Sequence, residues 1–279
     1  MSLPPLDVPE LLRQYGLRPD KRLGQNFLID PAALERVMEA AGVEPAAAVL
    51  EVGPGLGSLT RLLAARARKV VAVELDSKLI PALESVLAPY SNAQVVQGDI
   101  LALNPAELMA GEAGYLVVAN IPYYITSALI RHLLEAGVKP RRLALTVQRE
   151  VAERIVAGPG EMSLLALSVQ VYGQPKIKAR IPAGAFYPAP KVESAVVRVD
   201  LYDQPAIPEP HLASFFRLAK AGFSQKRKTL RNALAGGMHW APQQAAEFLQ
   251  SAGIDPQRRA ETLSLEEWGR LAERDPLNA

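Results

Sequence analysis

Between about residues 31 and 175 the apolar positions switch repeatedly between two periods. The runs 49–52 (VLEV), 69–75 (KVVAVEL), 93–99 (AQVVQGD), 115–121 (YLVVANI) and 142–148 (RLALTVQ) are apolar without strict alternation. Such runs suit strands covered on both faces of a parallel sheet. The intervening segments SLTRLLAARA, DSKLIPALESVLAPY, NPAELMAG and TSALIRHLLEAG have helical period or helical propensity. A further helix is predicted over AALERVMEAAG, with Asp30 and Pro31 at its start and Gly42 at its end. Strands and helices alternating at this spacing predict a doubly wound α/β sheet, Rossmann-like and mostly parallel.

The pattern changes after that point. SLLALSVQVYG (163–173) reads as helical, whereas KIKARIPAG and ESAVVRVDL (193–201) read as β and are joined by the Pro-rich FYPAPKV. A hairpin at the edge of the sheet is the simplest arrangement. YDQPAIPEP (202–210) carries three prolines in nine residues and reads as a linker. From His211 onward every segment is helical in pattern: HLASFFRLAKAGF, KTLRNALAGG, PQQAAEFLQSAG and SLEEWGRLAERD. The expected organisation is an N-terminal arm over 1–30, an α/β domain over 31–204 and a small all-helical domain over 205–279.

Composition narrows the chemistry. The 279 residues include no cysteine, which removes disulfides, thiolate metal sites and cysteine nucleophiles. His132, His211 and His239 stand far apart, so no metal is expected. No run of 18 apolar residues is present, and MSLPPLDVPELLRQYG has no apolar signal core. The expectation is a cytoplasmic monomer without a membrane segment. Thirty-one basic against 29 acidic side chains give a net charge of +2, too mild to indicate a partner.

Four strand ends carry candidate chemistry. In Glu51-Val-Gly-Pro-Gly-Leu-Gly57 the glycines Gly53, Gly55 and Gly57 follow a strand and precede a helix, so the backbone can turn tightly and approach a ligand. Ser58 stands where a dinucleotide fingerprint would need its next glycine, which weakens a pyrophosphate reading; a tight turn without a ligand is the plain alternative. Glu74 ends the next strand, where a carboxylate can accept both ribose hydroxyls, and Asp99 ends the one after, where it can accept from an adenine amine. Each acid alone reads as a solvated strand end. Together with the glycine loop they converge on one crevice that suits an adenosine compound without pyrophosphate, and S-adenosylmethionine fits. The fourth strand ends in Asn120-Ile-Pro-Tyr-Tyr124. A ring-conjugated amine is a poor nucleophile. The Asn120 side-chain oxygen and a backbone carbonyl of the turn can each accept one of its N–H groups, stabilising charge that grows on nitrogen as a methyl arrives. Tyr123 offers a ring for the target base.

Taken together, these motifs show that the chain resembles the small-subunit ribosomal RNA adenine N6,N6-dimethyltransferases. The resemblance rests on Leu23-Gly-Gln-Asn-Phe-Leu28, the glycine loop, Glu74-Leu-Asp76, Asn120-Ile-Pro-Tyr123, Phe186-Tyr-Pro-Ala-Pro-Lys-Val-Glu-Ser194 and Phe223-Ser-Gln-Lys-Arg-Lys-Thr-Leu-Arg231, and spans about residue 21 to the C-terminal helices. It departs at Ile121, where Leu is usual. It implies a methyltransferase with S-adenosylmethionine as cofactor. Asn26 and Leu28 would close over it, Gly53 would lie beside its methionine part, Glu74 would take the ribose hydroxyls, Asp99 and Ile100 would hold the adenine, and Leu75 would also belong to the cofactor site. Asn120 and Pro122 would face both cofactor and target amine. Tyr123 and Phe186 would sandwich a flipped adenine, offsetting the few kcal/mol of unstacking.

The local charge map gives separate support for RNA. From Arg217 to Arg231 there are six basic residues and no acid: Arg217, Lys220, Lys226, Arg227, Lys228 and Arg231. Lys21 and Arg22 precede the cofactor segment, and Arg141, Arg142 and Arg149 flank a strand. A basic run alone reads as a solvated face; behind a methyltransferase core, a basic helix reads as phosphate positioning. The expected partner is small-subunit ribosomal RNA or the small ribosomal subunit. Competing readings are a large-subunit ribosomal RNA dimethyltransferase, a non-catalytic assembly or transcription factor on the same fold, and a DNA adenine methyltransferase.

Overall fold

The computed structural model describes residues 3–121 and 125–275, and the chain divides into two compact units, 1–152 with 176–201, and 153–175 with 202–279.

The first unit is built on a seven-stranded sheet. After a two-residue strand β1 (Phe27–Leu28), its strands are β2 (Ala48–Val52), β3 (Lys69–Glu74), β4 (Ala93–Gln97), β5 (Leu116–Asn120), β6 (Arg142–Gln148), β7 (Gly173–Ile181) and β9 (Ser194–Leu201), in the order β4-β3-β2-β5-β6-β9-β7. β8 (Phe186–Tyr187) lies outside this sheet and pairs antiparallel with β1. β2, β3, β4, β5 and β6 run parallel, and β9 pairs antiparallel with β6. The strand order reverses beside β2, which opens the crevice at strand C-termini where doubly wound sheets hold ligands. β2 is buried at every position, as its unbroken apolar run predicts. β4 is half exposed because it is an outer strand, a departure from the two-faced burial expected for 93–99.

The helices of this unit are α1 (Val8–Gln14), α2 (Pro31–Ala41), α3 (Ser58–Arg66), α4 (Ile80–Leu87), α5 (Pro105–Leu108) and α6 (Thr126–Leu134). α2 begins where Asp30 accepts from the Ala33 N–H and stops at left-handed Gly42, as the sequence predicts. Its inner face, with Leu34, Val37, Met38 and Ala41, packs with Val49, Leu63, Val70 and Val196 in the core. The segment 1–30 is more than an arm: Asp7 caps α1, and Val8 and Leu12 bury against Phe27, Leu56, Leu79 and Ala82.

α7 (Arg149–Val156) carries the chain into the second unit, which holds α8 (Leu164–Gln170), α9 (Glu209–Gly222), α10 (Leu230–Met238), α11 (Pro242–Ser251) and α12 (Leu265–Glu273). Residues 153–175, grouped with the sheet by sequence pattern, count with these helices. Trp268 of α12 is fully buried and stacks on Phe223 at 5.7 Å between ring centroids. Gly222 makes that approach possible, since a Cβ there would lie 2.5 Å from the Trp268 ring. α12 starts on a reciprocal capping box between Ser264 and Glu267. Among the described residues no helix is long and apolar enough to cross a membrane.

Candidate functional site

A cleft opens at the C-terminal ends of β2, β3 and β5, roofed by 23–28 and walled by the glycine loop, Glu74–Leu75 and 98–101. Asn26, Leu28, Gly53, Gly55, Glu74, Leu75, Asp99, Ile100 and Asn120 all line it. Pro122 and Tyr123 lie outside the described residues.

The loop needs its glycines for different reasons. Gly53, Gly55 and Gly57 have φ of 72°, 58° and 88°, in the left-handed region that side chains disfavour. At Gly55 a Cβ would also lie 2.8 Å from the Phe27 ring, so this glycine lets the roof segment settle on the loop. Gly57 does not line the cleft, contrary to the expected cofactor contact. It is the N-cap of α3, and a Cβ there would meet Leu83 at 3.1 Å and Val86 at 3.2 Å, so it serves helix packing.

Glu74 organises the loop from below. One carboxylate oxygen accepts from the Gly55 N–H at 3.0 Å and the other from the Asp76 N–H at 2.9 Å. The side chain is buried, and burial pushes its pKa up. Glu51 is a second buried carboxyl that sequence reasoning placed in the motif without a role. It lines the cleft at 1% exposure, its Oε2 has no hydrogen-bond partner among the described residues, and burial, with the neighbouring Glu74 charge adding to it, pushes its pKa up to about 8. Asp99, by contrast, is exposed at the rim and accepts from the Leu101 N–H at 2.9 Å.

The roof is tied down by two amides. Asn120 Nδ2 donates to the Asn26 carbonyl at 3.0 Å, and Asn26 Nδ2 to the Gly24 carbonyl at 3.1 Å. Gln25, which sequence reasoning passed over, accepts from the Asp20 N–H and donates to the Asp76 carboxylate, both at 2.8 Å. It therefore ties the N-terminal segment to the turn after β3, and only its place inside the roof motif hinted at it.

Phe186 is not presented to the cleft. It is 4% exposed, sits opposite Leu28 across the β1–β8 pair and packs in the core with Leu34 and Ala185. Successive strand residues face opposite ways, so its neighbour Tyr187 is the exposed ring, at 40%. The expected sandwich by Phe186 does not match this burial.

The basic residues differ in kind. Arg22 pairs with Asp20 at 2.9 Å, Arg141 with Glu44 at 3.3 Å, Arg142 with Asp200 at 2.6 Å and Arg149 with Glu193 at 2.9 Å, while Lys21 is exposed. In the helical unit the stretch 217–231 is not one basic helix. α9 ends at Gly222, and Lys226, Arg227 and Lys228 stand exposed in the turn before α10, which starts after Thr229. Arg217 is held by buried Asp275 and by Ser214, while Arg231 is half-buried and donates to Asn232. Lys220, Lys226, Arg227 and Lys228 form no side-chain ion pair among the described residues. No group of three His, Asp or Glu among the described residues is placed to hold a metal ion.

Known proteins place this geometry. Residues 17–274 match the family model described as ribosomal RNA adenine dimethylase. The chain is 48% identical over 262 residues to the "Ribosomal RNA small subunit methyltransferase A" of Dehalococcoides mccartyi strain 195, covering 94% of this chain and 90% of that protein. The Bacillus licheniformis protein of the same name is 40% identical, with 97% and 96% covered. Among solved structures, the 23S rRNA methyltransferase ErmE is 29% identical with a TM-score of 0.71, covering 89% of this chain and 99% of that one. A dimethyladenosine transferase from Plasmodium falciparum shares the fold at a TM-score of 0.75 and 24% identity, with 88% and 95% covered.

Proposed function

The chain belongs to the ribosomal RNA adenine dimethylase family, and from that premise we propose that it methylates the exocyclic N6 amines of adenosines in small-subunit ribosomal RNA, giving N6,N6-dimethyladenosine, with S-adenosylmethionine as methyl donor. The cleft brings together the buried Glu51, whose Oε2 has no hydrogen-bond partner among the described residues, Glu74 and Asp99, and these polar carboxyl groups suit the hydroxyls and amine of an adenosine compound. S-adenosylmethionine supplies an electrophilic methyl group on a sulfonium centre. Gly53 and Gly55 let the backbone reach it, Glu74 takes the ribose hydroxyls, Leu75 and Ile100 cover the adenine, and Asp99 accepts from the adenine amine.

The observation that carries the chemistry is the orientation of Asn120. Its amide nitrogen is committed to the Asn26 carbonyl. That fixes which end of the amide is which, leaving Oδ1 as the acceptor of a side chain that lines the cleft. An acceptor held there draws on one amine N–H and stabilises the positive charge that develops as the nitrogen lone pair takes the methyl carbon and the carbon–sulfur bond breaks. The amine proton then leaves to solvent. Lys220, Lys226, Arg227 and Lys228 are the phosphate contacts that position the RNA.

The small-subunit target is preferred because curated relatives at 40–48% identity carry that name, whereas the 23S enzyme is at 29%. The intact Asn120-Ile-Pro-Tyr123 favours catalysis over a binding role. The test is transfer of labelled methyl groups to isolated small and large subunits from a strain lacking the modification. Label in small-subunit adenosines is expected, and label confined to the large subunit would overturn the reading.

A further inference from the structure

β7 forms one outer edge of the sheet. Along it, Lys176, Lys178 and Arg180 alternate with Ile177, Ala179 and Ile181. The three basic residues are exposed, as is Ile177 near the strand's start, while Ala179 packs against the core and Ile181 is buried in it. Period-two alternation therefore sets three cations in a row on one face. None of them forms a side-chain ion pair among the described residues, unlike Arg22, Arg141, Arg142 and Arg149 of the same unit. Exposed Arg36 of α2 reaches the same strand, donating to the Arg180 carbonyl at 3.1 Å.

We propose that β7 is a second phosphate-binding track, on which Lys176, Lys178 and Arg180 hold the backbone of the substrate RNA. It rests on the ribosomal RNA reading and adds a surface outside the helical unit. The chemistry fits on two counts. Residues two apart on a strand are separated by about 6.6 Å, comparable to the distance between successive phosphates of an extended nucleic-acid strand. The row also leads toward the site. From Ile181 the chain runs through the turn Ala183–Ala185 into β8, whose partner β1 belongs to the roof of the cleft. A strand of RNA lying along β7 would thus continue toward the place where the target adenosine is used. The competing explanation is that lysines on an outer strand only deter edge-to-edge aggregation.

The experiment replaces Lys176, Lys178 and Arg180 together with Gln in the full chain, which removes charge while keeping polar side chains on the edge. Binding to unmethylated small ribosomal subunits is measured across a salt series, beside cofactor affinity and the single-turnover rate at saturating subunit. The expected result is weaker binding with a log–log salt slope shallower by about 0.7–0.9 for each phosphate no longer neutralised, and unchanged cofactor affinity and saturated rate. A melting curve establishes folding. Should the triple variant melt early, Lys178→Gln alone is read for a slope change of about 0.7. An unchanged slope in a folded variant overturns the track, and self-association with that unchanged slope assigns the cations to edge protection instead. Absence of small-subunit methylation by the wild-type chain would overturn the parent reading, and is recognisable because it precedes any substitution.

Discussion

The side-chain amide of Asn120 and the backbone carbonyl of Asn26 are joined at 3.0 Å, so the last residue of β5 and the roof of the cleft are one hydrogen-bonded unit. The bond orients an amide whose other end is the proposed acceptor. Asn120→Ala removes both roles. Single-turnover methyl transfer should fall on the order of a hundredfold, the usual consequence of losing a preorganised transition-state partner, while subunit affinity stays nearly constant. A near-normal rate would reduce Asn120 to a turn residue.

Gln25 acts on the same roof from its other end. Gln25→Ala removes its bond to the Asp76 carboxylate, of a kind worth about 1.5–3 kcal/mol. Cofactor affinity measured by calorimetry should weaken roughly tenfold or more, since about 1.4 kcal/mol corresponds to a factor of ten. The rate at saturating cofactor should be retained. Equal affinity in wild type and variant would show that the roof holds without this tie.

Glu51 makes a prediction about pH. Its pKa rises from 4.5 to about 8 on folding, so between those values the native chain keeps a proton that the unfolded chain releases. Stability therefore falls as pH rises through that window, by at most about 1.4 kcal/mol per pH unit from this group. Glu51→Gln is neutral throughout and should flatten the decline in urea-unfolding free energy between pH 5 and pH 8. Some slope should persist, because burial raises Glu74 in the same direction. Identical slopes in the two proteins would mean that Glu51 is ionised in the fold.

Gly57→Ala separates loop packing from ligand contact. The substitution forces a side chain into a left-handed position against Leu83 and Val86, and should lower stability by about 1–3 kcal/mol. The folded fraction should bind the cofactor with ordinary affinity, because Gly57 does not line the cleft. Reduced affinity at unchanged melting temperature would restore it to the binding loop.

What was legible in the chain follows from the range of the interactions involved. The Asp30 cap, the Gly42 stop and the unbroken apolar run at Ala48–Val52 are local signals, and the elements they predict are present. The cleft was legible as well, since Glu74 ends one parallel strand, Gly53 and Asp99 follow the ends of two others, and topology brings such ends together. The β1–β8 pair was not. Two residues per strand carry no periodicity, and Leu28 meets Phe186 only through the tertiary fold. The motif containing Phe186 therefore suggested an open ring, whereas pairing turns that ring inward and Tyr187 outward. Glu51 was hidden differently: a carboxyl fully buried beside another runs against the ordinary cost of burying charge, and only the fold shows that it is enclosed.

The same limit governs the basic stretch 217–231, where sequence counts six cations as one set and the fold divides them. Arg217 commits its guanidinium to buried Asp275 and to Ser214, so Arg217→Ala should destabilise the protein. Its side chain is 37% exposed, which places the expected loss at about 1–3 kcal/mol, below the 3–5 of a fully buried pair. Lys226, Arg227 and Lys228 stand in a turn with no such commitment among the described residues. Replacing all three with Ala should change stability by no more than about 0.5 kcal/mol per site. It should also make the salt dependence of subunit binding shallower by about 0.7–0.9 in log–log slope for each phosphate left without its cation. The two variants thus separate a scaffold arginine from phosphate-binding side chains. A melting temperature and a salt series on each decide the matter: an unaltered slope in a well-folded triple variant would mean that the turn is merely solvated, and the RNA surface would then have to lie elsewhere.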